Sequence, residues 1–488
     1  MEFFIARIGM IHYHCIPPCP TTGTTRAGVG SARSTRSDAW HDPAAVNQNP
    51  ADRSGETPGQ RRLAGILLAP GTLPRHALFY LYAAFITVGL LAFISFFQAW
   101  LLNVNLRLPE DMQGRTVAAL NFANELVALA LVAPFGALAD KIGRRPVYAF
   151  GFLWLAAGFV VYPLARTIPQ LTACALFFSV GVAAVGTMLA TVLADTPAES
   201  SRGRMVGLAG FCQGLGAAAL VLGLGRLPKW LQESGVDELR AGTLTLWLAA
   251  ALCAVSALVV LAGLKRGSPA AGAQSLPLGR IVADGLRAAR GNPRIWFAYL
   301  LQFGSFGDRV VLGTFLTLRL QQAWLESGAG MADAADRARA PFVAAMVAGL
   351  LTALVTGLLL DRVDRVRVGT AAMALAALAY LLCGFIDDPT QGLFMTVVAV
   401  LLGVGQIAAI ISGHTLLGQE APREVRGAVF GLAGVCASVA ILFTNGIGGW
   451  LYDTVSKGGP FFLLAGVNFL IFLFGWRLAR DSRVNRPV

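Results

Sequence analysis

The chain is 488 residues long, 56% hydrophobic and only 14% charged, with a mean hydropathy of +0.63. That balance excludes a soluble globular domain, because so much apolar surface needs a solvent other than water. The net charge of +12 does not point to nucleic acid, since the basic residues lie in loops between apolar runs and form no stripe on a soluble fold.

Residues 1 to about 60 are rich in Gly, Pro, Ser, Thr and Arg, show no apolar periodicity and hold no stretch that reads as a signal-peptide core. The segment 1–74 is therefore expected to be a disordered cytoplasmic leader, with an over-extended gene start as the alternative account of it. Cys15 and Cys19 stand near His12 and His14, but Pro17 and Pro18 intervene and no fold surrounds them, so no metal site is expected. Twelve apolar runs follow, near 77–103, 116–139, 145–165, 169–194, 204–224, 243–264, 295–320, 341–360, 368–386, 392–417, 428–451 and 460–478. A hydrocarbon core about 30 Å thick takes about 20 residues of helix, so these runs predict an all-α membrane protein with twelve transmembrane helices. Cys174, Cys212, Cys253, Cys383 and Cys436 fall inside the runs as small hydrophobes, and no disulfide framework is implied.

The loops between runs alternate in charge. One set carries Lys141, Arg144, Arg145, Arg202, Arg204, Lys265, Arg266, Arg280, Arg287, Arg290, Arg294, Arg362, Arg365, Arg367, Arg423 and Arg426; the other carries far fewer, among them Arg107, Arg115, Arg166, Arg226, Lys229 and Lys457. The positive-inside rule then predicts a multi-pass protein of the cell membrane with both termini in the cytoplasm.

Two stretches repeat one charged pattern at a helix end: Gly136-Ala-Leu138-Ala-Asp140-Lys-Ile-Gly143-Arg144-Arg145 and Gly357-Leu-Leu359-Leu-Asp361-Arg362-Val-Asp364-Arg365, the second with Asp364 in place of the later glycine. A second repeat joins the loops after the fourth and tenth runs, where Arg202-Gly203 and Gly207-Leu208-Ala209-Gly210 align with Arg426-Gly427 and Gly431-Leu432-Ala433-Gly434. Both copies fall on the same side, which makes the halves parallel repeats related by an axis along the membrane normal. The first pattern resembles the loop between the second and third membrane helices of major facilitator superfamily transporters, G-x-L-a-D-r-x-G-R-R. The resemblance implies two pseudo-symmetric six-helix halves, 75–264 and 295–480, joined by a cytoplasmic linker 265–294 and followed by a cytoplasmic tail 481–488. It also implies a substrate site between the halves, lined mainly by helices one, four, seven and ten. Within the linker, Ile281, Leu286 and Ala289 oppose Arg280, Arg287 and Arg290, which predicts an amphipathic helix able to lie at the headgroup boundary or to act as a tether.

The same resemblance makes Gly136, Asp140, Gly143, Arg144, Arg145, Gly357, Asp361 and Arg365 a cytoplasmic gate. Asp140 would face a helix N-terminus, worth about 0.3 to 1 kcal/mol, and arginines able to form charge-assisted hydrogen bonds. The plainer alternative is that these positive charges only fix orientation. Inside the apolar runs, ionisable residues are costly, so Glu125, Asp308, Arg309 and His414 each need an explanation. Glu125 lies about 22 Å above the cytoplasmic end of helix two and Asp308 and Arg309 about 20 Å into helix seven, at a shared depth. Glu125 is expected to pair with Arg309 across the halves, leaving Asp308 toward the central cavity, with Glu125 or Asp308 as the proton-coupling group; a permanent ion pair or a hydrated side chain is the alternative. Gln302 and Gln406 lie at depths suited to a polar ligand, or serve as packing bonds between helices. Asn121 and Asn124 share a face with Glu125, and His414, within a turn of the cytoplasmic end of helix ten, reads as a satisfied or solvated histidine, with a proton relay as the alternative.

Helix five carries Gly207, Gly210, Gly214, Gly216, Gly223 and Gly225, a spacing for close helix packing. It resembles the glycine-rich fifth helix of drug/proton antiporters, but their Gly-Pro pair is missing here, as is their arginine on helix four. No P-loop is present, and no nucleophile with a positioned base, so neither ATP hydrolysis nor an enzyme is expected, and no cofactor. The function expected is a monomeric secondary active transporter of the cytoplasmic membrane, moving a small solute by alternating access with proton coupling; its partners would be that solute, protons and the bilayer. A transport-inactive receptor or scaffold and an uncoupled facilitator are the alternatives. The lack of a cationic cluster at midplane disfavours multivalent anions, though Arg309 could bind a monocarboxylate.

Overall fold

The computed structural model describes residues 61–63, 65–198, 201–266, 278–360, 362–386, 388, 390–422 and 425–480. Helix is the required answer to long apolar runs, because in hydrocarbon every backbone N–H and C=O has to be satisfied inside its own segment. In the first half, α1 is Pro74–Trp100, continued by a π-helical stretch Leu101–Asn105; α2 is Glu110–Ile142, α3 Arg144–Val161, α4 Ile168–Asp195, α5 Arg202–Leu224 and α6 Glu238–Gly263. In the second half, α7 comprises Pro293–Val310, a π-helical stretch Val311–Leu316 and Thr317–Glu326. It is followed by α8 Met331–Leu360, α9 Arg365–Gly384, α10 Gly392–Glu420, α11 Arg426–Thr454 and α12 Gly459–Arg480. Among the described residues eleven helices are long and apolar enough to cross a membrane; α7 completes the twelve but is interrupted by Gln302, Asp308 and Arg309.

Helix starts follow local chemistry. Asn292 accepts the Arg294 N–H at 2.9 Å ahead of Pro293, Asp237 accepts the Leu239 N–H, and Asp364 accepts those of Val366 and Arg367. Gly143, with φ of 98°, separates α2 from α3 in a single residue, a conformation that a side chain would strain.

The two halves repeat their packing. In the first, α1 lies on α5, α3 on α4 and α6, and α2 on α4; in the second, α7 lies on α11, α9 on α10 and α12, and α8 on α10. Each half has its own apolar core, and the seam between them is made by two equivalent pairs, α2 with α11 and α5 with α8. Leu258, Leu351, Leu354, Val355 and Leu470 are exposed on the outside of the bundle, as a lipid-facing belt requires and a water-soluble surface does not tolerate. The end of the bundle at which α1 begins and α12 finishes is here the terminal face, and the other the opposite face.

Three expectations change. Residues 61–63 and 65–73, assigned to the disordered leader, hold defined structure: Arg62–Leu63 pairs antiparallel with Ile66–Leu67, and Leu68 bridges Pro197. The Ala69 N–H donates to Thr196 O and the Ala198 N–H to Leu67 O, so the segment before α1 is tied to the end of α4. Residues 1–60 and 481–488 lie outside the described residues. Second, the linker helix Leu278–Arg290 is docked and not merely a tether: Ile281 packs on Gly431, Gly285 on the Ala428 carbonyl and Leu432, and Ala289 is buried. Arg280, Arg287 and Arg290 point outward, as the pattern predicts. Third, α2 begins at Glu110 and α8 at Met331, six and ten residues ahead of their apolar runs, because the helix continues through polar turns that hydropathy does not register.

Candidate functional site

The seam is closed at one end and open at the other. On α2, Gly114, Ala118, Glu125 and Gly136 fall on one stripe, since 18 residues make about five turns. Ala118 meets Gly449 of α11, where an added Cβ would stand 2.3 Å away, whereas a Cβ at Gly136 would meet nothing within 4 Å. The α5–α8 pair behaves alike. A Cβ at Gly214 would stand 3.2 Å from Leu350, but among the described residues one at Gly210 or Gly207 on the same stripe of α5, or at Gly357 two turns beyond Leu350 on α8, would meet nothing within 4 Å. The halves therefore diverge from about mid-depth toward the terminal face.

At the opposite face a belt of bonds joins the halves. Asp453, with a fully buried carboxylate at the end of α11, accepts the N–H of Gly114 at 2.9 Å, the N–H of Arg115 at 2.7 Å and Arg115 Nε at 3.3 Å. Lys457 bridges Glu110 at 2.7 Å and Glu326 at 2.5 Å. Deeper, a buried neutral chain runs from Tyr452 Oη, donating to Gln322 Oε1 at 2.6 Å, through Gln322 Nε2 to Gln113 Oε1 at 3.0 Å, and on from Gln113 Nε2 to Asn103 Oδ1 at 2.9 Å. On the other side of the seam Lys229 pairs with Asp333 and Asp336, and Arg339 donates to Leu222 O. Below this plug a hollow of about 10 Å³, lined by residues including Gln98, Val117 and Thr314, has room for about one water molecule and no solute.

At mid-depth, Asn121 Nδ2 donates to Thr314 Oγ1 of α7 at 3.1 Å, and Asn124 accepts the Ser179 hydroxyl of α4 at 2.6 Å. Glu125 is buried on the seam stripe of α2. Arg309 is half-buried on α7, its guanidinium 4.7 Å from the centre of the Phe306 ring. Asp308 does not face the central opening as expected. It is fully buried inside the second half, accepting from Asn468 Nδ2 of α12 at 2.7 Å, while Tyr380 of α9 donates to its backbone carbonyl. The cause is angular: neighbours on a helix diverge by about 100°, so Asp308 and Arg309 serve different sides. Gln302 and Gln406 are both buried, and Gln302 Nε2 stands beside Gly413 of α10.

The terminal face carries a charge cluster in each half. The Gly143 turn brings Arg144, 8% exposed, back over Asp140 at 2.5 Å and against Asp195 at the end of α4 at 3.1 Å. Asp140 itself is 45% exposed. In the second half, Asp361 lies outside the described residues. Its neighbour Asp364 caps α9 and pairs with Arg294 at 2.8 Å, and Arg294 also holds Glu420 at 3.0 Å. Arg365 donates to Gln419. The aspartate that looked like a lost glycine is thus the anchor of the second cluster. Sequence reasoning missed Asp195, Arg294, Glu420 and the whole opposite-face plug. Only the plug left a trace, as polar residues flanking the second and eleventh apolar runs.

Residues 88–335 and 298–488 match the profile of the Major Facilitator Superfamily. The magnetosome protein MamH of Paramagnetospirillum magneticum is 27% identical over 418 residues, covering 84% of this chain and 94% of MamH. Magnetosome protein MamZ of the same organism is 25% identical over 414 residues, covering 80% of this chain but 61% of MamZ, so the chain spans under two thirds of that relative. Among solved structures, the nucleoside transporter NupG superposes with a TM-score of 0.63 at 15% identity, covering 82% of this chain and 99% of NupG. The D-xylose-proton symporter gives 0.62 at 16%, covering 83% and 97%. An inward-facing, occupied bacterial homologue of the lysosomal transporter Spinster gives 0.61 at 14%, covering 85% and 97%. At these identities the structural likeness is one of fold.

Proposed function

The chain belongs to the Major Facilitator Superfamily, and from that premise we propose that it is a proton-coupled secondary transporter that carries a small solute across the cytoplasmic membrane by alternating access. The observation that carries this reading is the seam, sealed by a bonded plug at the opposite face and splayed from Gly214 and Ala118 toward the terminal face. Lys141, Arg144, Arg145, Arg287, Arg290, Arg294, Arg362 and Arg365 gather at the terminal face, which supports assigning that face to the cytoplasm and the conformation as inward-open. Solute would enter the opening between the halves, and Asp140, Arg144, Arg365 and the Asp364 cluster would close it in the outward-open state.

Proton coupling is assigned to Glu125 with Arg309. Helices α2 and α7 run antiparallel, and the Asn121–Thr314 bond sets their register. Four residues further down α2 and four back along α7, each about 6 Å, bring Glu125 level with residues 309 and 310. A carboxylate that alternates between a guanidinium and a proton is the chemistry such a pair supplies. The relatives MamH and MamZ are magnetosome proteins by name, and the solved neighbours handle a nucleoside or xylose. The cargo is therefore sought across metabolite classes, by thermal stabilisation of the purified protein at two pH values. In proteoliposomes, Glu125→Gln is expected to abolish accumulation driven by a proton gradient while keeping solute exchange. Undiminished accumulation removes Glu125 from the coupling path; a folded protein that neither binds nor moves any solute would favour a receptor or scaffold.

A further inference from the structure

Asp308 holds a position that solute transport along the seam does not use. It is fully buried, faces α9 and α12, and among the described residues forms no ion pair. Its Oδ1 accepts one hydrogen bond, from Asn468 Nδ2 at 2.7 Å. Among the described residues its Oδ2 has no hydrogen-bond partner, and neither does Oδ1 of the same Asn468, which is also fully buried. The two orphaned atoms belong to one pair of side chains, and both are acceptors. An ionised carboxylate sealed in an apolar bundle with one amide donor carries a large desolvation cost, and the facing amide oxygen adds an unmet acceptor of its own. One hydrogen between them removes both deficits.

We propose that Asp308 holds a proton on Oδ2 and donates it to Asn468 Oδ1, closing a cyclic carboxylic acid–carboxamide pair in which each side chain donates once and accepts once. The balance is simple: a proton from water adds to the carboxylate, no other bond changes, and the site passes from a charge of −1 to zero. A metal cation fits less well. Hard cations take about six oxygen ligands. Beside Gly304, where Asn468 Oδ1 lies, the further neighbours are the Ile471 side chain and Met373 Sδ. Among the described residues the titratable neighbours of Asp308 are Tyr380 on α9, engaged with its backbone carbonyl, and Arg309 on α7, over the Phe306 ring; α12 presents Asn468, and Thr444 of α11 lies beside Gly307. The site is a proton store inside the second half that clasps α12 to α7 out of reach of the solute. Its opening during transport would rest on the alternating-access reading; its existence does not.

The test is infrared spectroscopy of the full-length protein in lipid at neutral pH, which needs no cargo. The expected result is a protonated-carboxyl C=O band that shifts down in D2O and is lost in Asp308→Asn. In Asn468→Val, which removes the acceptor, the band should move to higher frequency. If Asp308→Asn fails to fold, the upward band shift in Asn468→Val carries the test, because a D2O shift of the unaltered protein would also arise from a protonated Glu125. Indistinguishable carboxyl spectra of the folded wild type and Asp308→Asn would overturn the proposal, as would thermal stabilisation by Na⁺ that Asp308→Asn abolishes, since the site would then hold a metal ion.

Discussion

Replacing Asp453 with alanine should release the opposite-face plug. The carboxylate is fully buried and accepts two backbone N–H groups of α2 across the seam, at 2.9 and 2.7 Å, while Arg115, its ionic partner, is 54% exposed. A hydrogen bond to a charged group contributes about 1.5 to 3 kcal/mol, and the exposed arginine adds well under 1 because water and salt screen it. Part of this is regained on opening, when water replaces the lost partners. A net penalty of about 2 kcal/mol on the closed plug then moves the ratio of closed to open plug by about 30-fold, at about 1.4 kcal/mol per decade. Spin labels placed on α2 and α11 near the opposite face, read by pulsed dipolar spectroscopy, measure that ratio directly. A long-distance population should appear or grow in Asp453→Ala, and Asp453→Asn should fall between it and the wild type. Identical distance distributions in the folded wild type and Asp453→Ala would refute the claim that this carboxylate holds the seam.

Two further outcomes concern charge. Arg144→Ala should lower unfolding stability by about 2 kcal/mol, below the 3 to 5 typical of breaking a fully buried pair, because Asp140 and Asp195 are 45% and 34% exposed and regain water; denaturation in detergent measures it, and a neutral result would mark Arg144 as a topology signal only. The Lys457 latch should respond to alkali. Burial pulls its ammonium down, but hydrogen bonds to Glu110 and Glu326 outweigh that and leave it above the ordinary lysine value. A cation whose value is raised on folding contributes fully below the unfolded value of 10.5 and loses that contribution as pH rises through the folded one. The same spin-label pair should show the latch loosening above about pH 10.5, and Lys457→Met should remove that alkaline step.

How much of this was legible beforehand depended on the kind of signal. Helix number, the parallel repeat and the Asp140–Arg144 element were readable, because hydropathy and a local motif are properties of neighbouring residues. Asp195, Arg294 and Glu420 were not, since what makes them partners is the meeting of helix ends far apart in sequence. Depth along a helix placed Glu125, Asp308 and Arg309 at one level, but depth says nothing of azimuth, and Asp308 turned out to face α12. The plug escaped notice because Glu110, Gln113, Tyr452 and Asp453 lie in turns that continue α2 and α11 beyond their apolar runs.

The π-helical stretches occur in α1 and α7, helices that the repeat makes equivalent. A π turn holds one residue more than an α turn. Converting Val311–Leu316 to α geometry would therefore screw Thr317–Glu326 round by about 100° and along its axis by about 1.5 Å. Gln322 rides on that segment, and the stretch Leu101–Asn105 itself carries Asn103, the far end of the same bonded chain. The plug can thus be withdrawn by twisting two helix tips, with the packing of each half left in register.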